Sequence, residues 1–367
     1  MPPFIKGLEL CEVFYQEAVK PILNAELPEI PYSAGLIGAG SDVLGFDTGQ
    51  STDHDWGPRL LLFLSPADHA RYATTINELL SRKLPYTIRD YPTNYAVVPE
   101  GQSTWMQATS EGEVNHRVRI LTVEQFLKNS YAIDPDRPFT LVDWLTTPQQ
   151  MLLSLTAGRI YHDGLGTLTP LRAKFAYYPH DLWLYLLAAG WRRIAQEEAF
   201  MGRSGQVGDE LGSQVIASRL VHDLMLLCFL MEKQYAPYPK WFGSGFARLH
   251  CAASLMPLLR QTLSAGDWQE REQHLSTSYR LLAEMHNALG ITDPLPTEVT
   301  SYYDRPFKVI HGDQFAEAIL ARITDVEVKR LPAFIGGIDQ WVDSTDVLAH
   351  SDRGKRLKVM YEGEEVS

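Results

Sequence analysis

The chain has few cysteines, no long apolar run and no leader-like start. Its three cysteines, Cys11, Cys228 and Cys251, form no CxxC pair and each lies in an apolar, helical-looking stretch, which predicts buried thiols rather than a catalytic thiol. The densest apolar run, Leu224–Met231, spans eight residues, whereas a membrane helix needs about 20. No basic segment leads into an apolar stretch at the start. These absences predict a soluble, cytoplasmic protein with no membrane partner.

Basic charge is also scarce. Lys and Arg number 33 against 45 Asp and Glu, a net charge of −12. A protein that grips a long nucleic acid usually presents a basic face, so we expect no such partner. The acidic excess is compatible with a metal-binding carboxylate site, and equally with a solvated acidic surface. A length of 367 residues predicts two domains.

The first part of the chain alternates helix and strand patterns. Ser65-Pro66 supplies an N-cap and a first-turn proline, and Thr122 with Gln125 forms a capping-box pattern. The predicted helices are 4–24, 66–83 and a helix opening at Thr122; the predicted strands are 34–37, the apolar run ending at Leu64, 86–91 and 114–121. A small mixed sheet with flanking helices follows from this order.

After residue 147 the pattern becomes helical. Four segments have an amphipathic period of 3.6 residues: TTPQQMLLSLTAGRIYHD, PHDLWLYLLAAGWRRIAQEEAF, SQVIASRLVHDLMLLCFLMEKQY and WQEREQHLSTSYRLLAEMHNAL. We therefore predict an α+β protein with an α/β domain over 1–146 and an all-helical domain over 147–300. A mixed C-terminal segment, 301–367, is expected to pack on the rest.

The segment GAGSDVLGFDTGQSTDHDWGPRLLLFL carries the strongest chemical pattern. Gly40-Ser41 ends one predicted strand, and Asp53-His54-Asp55 leads into the next after eleven residues. If Asp53 and Asp55 lie in a strand, alternation places both carboxylates on one face, where Mg²⁺ would neutralise them. Gly40 and Ser41 offer backbone N–H groups and a hydroxyl to phosphate. Either motif alone is typical of a turn or a solvated face; together they favour a metal and nucleoside triphosphate (NTP) site.

At these residues the sequence resembles a known superfamily. The Gly-Ser turn followed by Asp-x-Asp is similar to nucleotidyltransferases with the polymerase-beta-like core, and the phrases GSDVLGFD, STDHDWGPR and YAPYPKWFG resemble the DUF4037 family. The resemblance implies a nucleotidyltransferase-type sheet and transfer of a nucleoside monophosphate from an NTP to a hydroxyl, with release of pyrophosphate. It implies Asp53 and Asp55 as ligands of Mg²⁺ and Gly40 and Ser41 as the phosphate turn.

The sequence departs from that pattern at the third carboxylate, which the superfamily often carries on a later strand. The candidate strand VNHRVRIL offers His116 and, at its start, Glu113, and an earlier segment offers Asp90. A neutral His116 could accept the proton of the acceptor hydroxyl, although a strand histidine is more often structural. The missing third carboxylate leaves open whether the site is catalytic, whereas NTP–Mg²⁺ binding is still expected.

Two basic residues are secondary candidates. Arg59 could meet a phosphate or form a plain salt bridge, and Lys240 beside Trp241 could contact triphosphate or acceptor or belong to a rigid helix connection. The His-Gly-Asp at 311–313 resembles small-molecule kinases, but position 318 is Ala where they carry Asn, so we exclude that reading. YHDGLG at 161–166 reads as a polar turn, and the chain contains no Walker pattern.

The predicted function is a Mg²⁺-dependent nucleotidyltransferase whose NTP site lies between the domains. The negative charge favours a small hydroxylated acceptor over RNA, with the aromatic-rich helical domain binding it. The alternative is a catalytically degenerate nucleotide-binding protein with a regulatory or interaction role. A third acidic or basic group beside Asp53 and Asp55 would discriminate the two.

Overall fold

The computed structural model describes residues 2–99 and 101–362. The chain divides into two compact units: Met1–Phe139 with Met151–Ala176, and Thr140–Gln150 with Tyr177–Ser367. The first unit combines a small mixed sheet with helices, and the second is almost entirely helical. This confirms the α+β class that the sequence predicts.

A four-stranded sheet organises the first unit. Within the described residues the strands of this unit are β1 Ser33–Leu36, β2 Arg59–Phe63, β3 Thr87–Ile88, β4 Tyr91–Pro92, β5 Arg117–Leu121 and β6 Arg159–Asp163. The sheet order is β5-β2-β1-β6. β2 and β5 are parallel, whereas β1 is antiparallel to both β2 and β6, so the sheet is mixed.

Helices cover this sheet, and local signals fix where several of them start. Through residue 176 the described helices are α1 Gly7–Phe14, α2 Lys20–Glu26, α3 Pro66–Lys83, α4 Val123–Tyr131, α5 Leu141–Thr146 (in the second unit), α6 Gln149–Thr156 and α7 Leu168–Lys174. A π-helical segment, Tyr15–Val19, joins α1 to α2. The Ser65 hydroxyl accepts the Asp68 N–H at 3.1 Å, which caps α3 as predicted.

Both faces of β2 are buried, which explains its continuous apolar run. On one face Leu60 and Leu62 enter the core that includes Phe14 of α1 and Leu80 of α3. On the opposite face the Phe63 ring meets Phe126 of α4 edge-on, with ring centroids 5.5 Å apart. Helices of the first unit therefore pack on both faces of β2.

The single helix predicted across TTPQQMLLSLTAGRIYHD is wrong in its second half. α6 ends at Thr156, and the following residues form β6, which pairs antiparallel with β1. Gly158 makes the turn: its φ is +77°, and a Cβ there would lie 2.1 Å from the Leu36 carbonyl oxygen. The sheet therefore takes a strand from beyond residue 147.

The second unit is a helical assembly built around α8. Its further described elements are α8 His180–Glu197, α9 Phe200–Gln206, α10 Glu210–Met231, α11 Phe242–Phe246, α12 Ala252–Ser264, α13 Trp268–Ala288, α14 Gly312–Leu320, α15 Val326–Lys329, α16 Thr345–Leu348, α17 Ser351–Lys355, and the strands β7 Thr300–Ser301 and β8 Lys308–Val309. The ring of Trp191 in α8 stacks on Phe315 of α14 at 4.2 Å. This stacking joins two helices that are distant in the sequence.

One helix of the described part, α10, is long and apolar enough to cross a membrane by length and composition. The most apolar 18-residue window of α10 is 61% buried inside the fold. That burial is typical of a core helix, and the feature by itself is weak evidence for a membrane span.

The His-Gly-Asp motif has a local structural explanation. The buried carboxylate of Glu198 accepts the N–H groups of Ile310 at 2.7 Å and Gly312 at 3.2 Å, where α14 begins. Burial raises the pKa of Glu198 to about 7. The motif therefore forms a helix start held by Glu198.

Asp163 explains the other polar motif, YHDGLG. Its carboxylate accepts the Ser33 hydroxyl at 2.8 Å and the Thr169 N–H and hydroxyl at 2.9 and 2.8 Å. Partial burial opposes ionisation, but these hydrogen bonds prevail and lower the pKa of Asp163 to about 2. Residues 161–163 are thus the end of β6, and only residues 164–166 form the predicted turn; Asp163 ties the start of α7 to β1.

Candidate active site

Asp53 and Asp55 lie in the loop before β2 and not in a strand. Residues Gly49–Asp53 form a 3₁₀ turn, and β2 begins only at Arg59. A capping box closes this turn, because the Thr48 N–H donates to the Ser51 hydroxyl at 3.0 Å. The prediction that strand alternation puts both carboxylates on one face is therefore wrong. Any common cation must be held by loop geometry.

Asp53 is the open carboxylate of the pair. Its side chain is 66% exposed, and its Oδ1 lies 3.0 Å from the His54 N–H and 2.9 Å from the His54 Nδ1. Desolvation opposes ionisation, but the hydrogen bonds from His54 and its electrostatic attraction together outweigh it and lower the pKa of Asp53. Asp53 therefore presents an ionised carboxylate to solvent.

Asp55 already has a cationic partner. The Arg117 Nη1 donates to its Oδ1 at 2.8 Å, with the two side chains 28% and 45% exposed. The Asp55 backbone N–H donates to the Thr104 carbonyl at 2.7 Å, and its φ of +49° is left-handed. Partial burial opposes ionisation, but hydrogen bonds from Ser103, Thr104 and Arg117 lower the pKa of Asp55.

The residue after Gly-Ser, Asp42, is one that the sequence analysis did not select. It is buried and forms a forked ion pair with Arg59, whose Nη2 lies 2.7 and 2.8 Å from the two carboxylate oxygens. Burial disfavours the charge on Arg59, but Asp42 outweighs it and raises the pKa of the guanidinium. Of the two roles predicted for Arg59, the structure shows the salt bridge. An acid directly after Gly-Ser was the available signal.

The turn after β1 leaves backbone N–H groups open. The Leu44 N–H donates to the Gly40 carbonyl at 3.2 Å and the Phe46 N–H to the Ser41 carbonyl at 2.8 Å, which makes one helix-like turn. In the described part of the chain, no acceptor pairs with the N–H groups of Ala39, Gly40 or Ser41. Successive unpaired N–H groups at a turn are the kind of donors that bind an anion.

Gly40 is needed at this turn. Its φ is +142°, and a Cβ there would lie 2.3 Å from Asp42 Oδ1 and 2.6 Å from Arg59 Nη2. The turn thus fits closely against the ion pair. A side chain at position 40 would push the ion pair and the turn apart.

Parallel pairing of β2 and β5 brings the two ion pairs side by side. Arg59 and Arg117 are register partners at the starts of these strands. Each guanidinium holds one acid of the loop between β1 and β2: Arg59 holds Asp42, and Arg117 holds Asp55. The Tyr95 ring lies 5.6 Å from the Arg117 guanidinium. The Gly40-Ser41 turn, through Asp42, and the loop that carries Asp55 are therefore anchored at the starts of two adjacent strands.

The remaining predicted site residues lie in other settings. The His116 Nε2 lies 3.2 Å from the Asn77 carbonyl, and its Nδ1 accepts the Val118 N–H at 3.1 Å, so both ring nitrogens are engaged by backbone. Burial also lowers the pKa of His116. Lys240 is exposed in the second unit, with its ammonium 5.1 Å from the Trp241 ring centroid. Among the described residues, no hydrogen bond or ion pair joins His116 to Asp53 or Asp55.

No group of three or more His, Cys, Asp or Glu side chains suited to a metal occurs among the described residues. A cation here would depend on the oxygens of Asp53 and Asp55, with water and substrate phosphate completing its shell. Mg²⁺ accepts such a donor set because it keeps several waters and binds through one or two carboxylates. The donor chemistry fits Mg²⁺, and the ion would compete with Arg117 for Asp55.

Comparison with known proteins adds a family. A nucleotidyltransferase-like protein from Exiguobacterium sibiricum is similar at 15% identity over 75% of this chain and 76% of that chain, with a TM-score of 0.33, too low to show a common fold. No curated protein matches the chain. Residues 144–242 match the family described as Domain of unknown function (DUF4037). This match confirms the resemblance to that family over these residues.

Proposed function

We propose that the first unit binds an NTP together with Mg²⁺ and transfers its nucleoside monophosphate to a hydroxyl group of a small acceptor. The observation that carries the proposal is the pairing of Arg59 with Arg117 at the starts of β2 and β5. Through their ion pairs, these two arginines hold the Gly40-Ser41 turn and the loop that carries Asp55 at the starts of neighbouring strands. Nucleotidyl transfer needs phosphate-binding groups and metal ligands close to each other.

The residues divide the work by their chemistry. The N–H groups of Ala39, Gly40 and Ser41 would bind the outer phosphates, and Asp53 and Asp55 would hold Mg²⁺. When bound, the ion would neutralise charge on the transferred phosphoryl group. In the reaction, the acceptor hydroxyl loses its proton to water, and a bond forms between its oxygen and the α-phosphorus. The bond from that phosphorus to the bridging oxygen breaks, and pyrophosphate leaves.

The test is transfer of label. Each of the four NTPs, labelled at the α-phosphate, is incubated with Mg²⁺, the protein and pooled small metabolites. We expect a labelled product and stoichiometric pyrophosphate, both abolished in Asp53→Asn and Asp55→Asn and retained in Glu29→Gln, a surface change away from the loop. Equal product from wild type and both Asp variants would contradict the proposal.

A second candidate, a nucleotide-binding protein without transfer activity, is favoured by one observation. The superfamily often has a third carboxylate on a later strand, whereas here the start of β5 carries Arg117, which neutralises Asp55. An arginine at this place suits direct phosphate binding without a metal. The site would then sense a nucleotide rather than use it.

Arg117→Met separates the two candidates. If Mg²⁺ must displace Arg117 from Asp55, the variant binds Mg²⁺–NTP at least as tightly as wild type. If Arg117 itself holds phosphate, the variant binds NTP about tenfold more weakly, as expected for one lost charged hydrogen bond. Removing Mg²⁺ would then leave wild-type binding unchanged. Titrations with and without EDTA read both outcomes.

A further inference from the structure

A cavity of about 640 Å³ opens beside the 3₁₀ turn Gly49–Asp53 of the first unit. Its apolar wall consists of Pro2, Phe4, Tyr91, Pro92, Trp105 and Met106. Its polar wall comes from the 3₁₀ turn, through Gly49, Gln50, Thr52 and Asp53. The volume lies in the range of small-molecule sites, about 300–1,000 Å³.

The aromatic wall is fixed in place. Phe4 stacks on the buried Trp56 at a centroid distance of 5.8 Å, and the Tyr91 hydroxyl donates to the Pro3 carbonyl at 3.0 Å. Trp105 stands on a short antiparallel bridge, Tyr95–Met106, with the Ala96 N–H donating to its carbonyl at 3.0 Å. A ligand would meet this wall already formed, which lowers the entropic cost of binding.

Two of these rings remain open to solvent although they are large and apolar. Trp105 is 50% exposed and Phe4 is 40% exposed. Exposed apolar surface gathered at a concave site is typical of ligand recognition rather than of scattered surface residues. A bound ring would bury these faces.

The charge of the cavity is negative and comes from one group. Asp53 is the only charged side chain among its described lining residues. Lys6 approaches the Phe4 ring at 5.8 Å, but its ammonium is paired with Asp47. Aromatic faces beside a carboxylate attract an organic cation through both cation–π and charge interactions. An anionic ligand would be repelled by Asp53.

We propose that this cavity binds a ring-bearing organic amine whose protonated nitrogen lies at Asp53. The inference does not rest on the proposed function. An ammonium at Asp53 and Mg²⁺ on the same carboxylate would repel each other, so the amine binds when the metal is absent.

The test uses three probes that share one ring and chain and differ in charge: 4-phenylbutylamine, 4-phenylbutanol and 4-phenylbutyrate. Calorimetric titration of the wild type without nucleotide should rank the amine tightest, about fivefold or more above the alcohol, and the acid weakest. In Asp53→Asn the amine should lose this preference. Trp105→Ala should weaken the amine about tenfold.

Two control variants stay outside the cavity. Val97→Ala changes an exposed side chain of the same loop region, and Glu29→Gln removes a surface charge. Both should bind the amine as the wild type does. Equal affinity of the wild type for amine and alcohol, or no saturation by the amine at millimolar concentration, would overturn the inference. A parallel titration with MgATP separates this failure from failure of the proposed function.

Discussion

Replacing Asp55 by Asn separates the structural role of this residue from its proposed chemical role. Asn keeps the shape of the side chain and tolerates the left-handed φ of +49°. The change removes the ionic part of the contact with Arg117, whose side chain is 28% exposed against 45% for Asp55. Such half-exposed pairs contribute about 0.2–1 kcal/mol. We therefore expect Asp55→Asn to lower the free energy of unfolding by less than about 1 kcal/mol.

The effect on ligand response should be much larger. A ligand at about 100 times its dissociation constant stabilises the folded state by about 2.7 kcal/mol. We expect MgATP to raise the melting temperature of the wild type and to have little effect on Asp55→Asn. Thermal unfolding of both proteins, with and without MgATP, measures the two effects together, and Glu29→Gln should behave as wild type.

Acid titration provides an independent check on the same variant. The pKa of Asp55 is lowered in the folded state, so its contribution to stability is present above the unfolded pKa and is lost as pH falls through the folded pKa. The stability difference between wild type and Asp55→Asn should therefore vanish on acidification. A loss above about 2 kcal/mol at pH 7, together with a full MgATP shift, would refute this reasoning and make Asp55 a structural residue.

Three further variants test the surrounding geometry. Asp42→Asn should destabilise the protein by about 3 kcal/mol, because it leaves the largely buried charge of Arg59 without its partner. In urea unfolding, the double variant Asp42→Asn, Arg59→Met should lose less stability than the two single variants lose together. Additive losses would contradict the ion pair. His116→Ala should cost about 1–3 kcal/mol without changing the pH profile of label transfer. Loss of the acidic limb of that profile would instead make His116 a general base. Asp163→Asn should lower the free energy of unfolding by about 2 kcal/mol at pH 7. The stability difference between wild type and variant should disappear between pH 3.8 and about 2, because the pKa of Asp163 is lowered in the folded state. A difference that stays constant with pH would exclude ionisation of Asp163 as its cause.

Local signals predicted most of the first unit correctly. The apolar run after Arg59 is a buried strand, Ser65-Pro66 starts α3, and the Thr122–Gln125 capping box starts α4. Each of these features is decided by residues adjacent in sequence, through burial or a hydrogen bond within one turn. Sequence patterns record such effects directly.

The errors arise where distant contacts override local pattern. Residues 159–163 continue a helical period but pair as β6, because Gly158 turns the chain against β1. The apolar run that suggests a strand begins only after Asp55, and the Thr48–Ser51 capping box folds Gly49–Asp53 into a 3₁₀ turn. The Asp55–Arg117 contact depends on β2 and β5 lying side by side. The periodicity of a single sequence does not show which strands pair with each other.

The most direct test of the account is calorimetric titration of the wild-type protein with ATP and the other NTPs, in Mg²⁺ and in EDTA. The account predicts saturable binding of at least one NTP that requires Mg²⁺ and is lost in both Asp53→Asn and Asp55→Asn. Absence of binding by every NTP at millimolar concentration, in either condition, would contradict it.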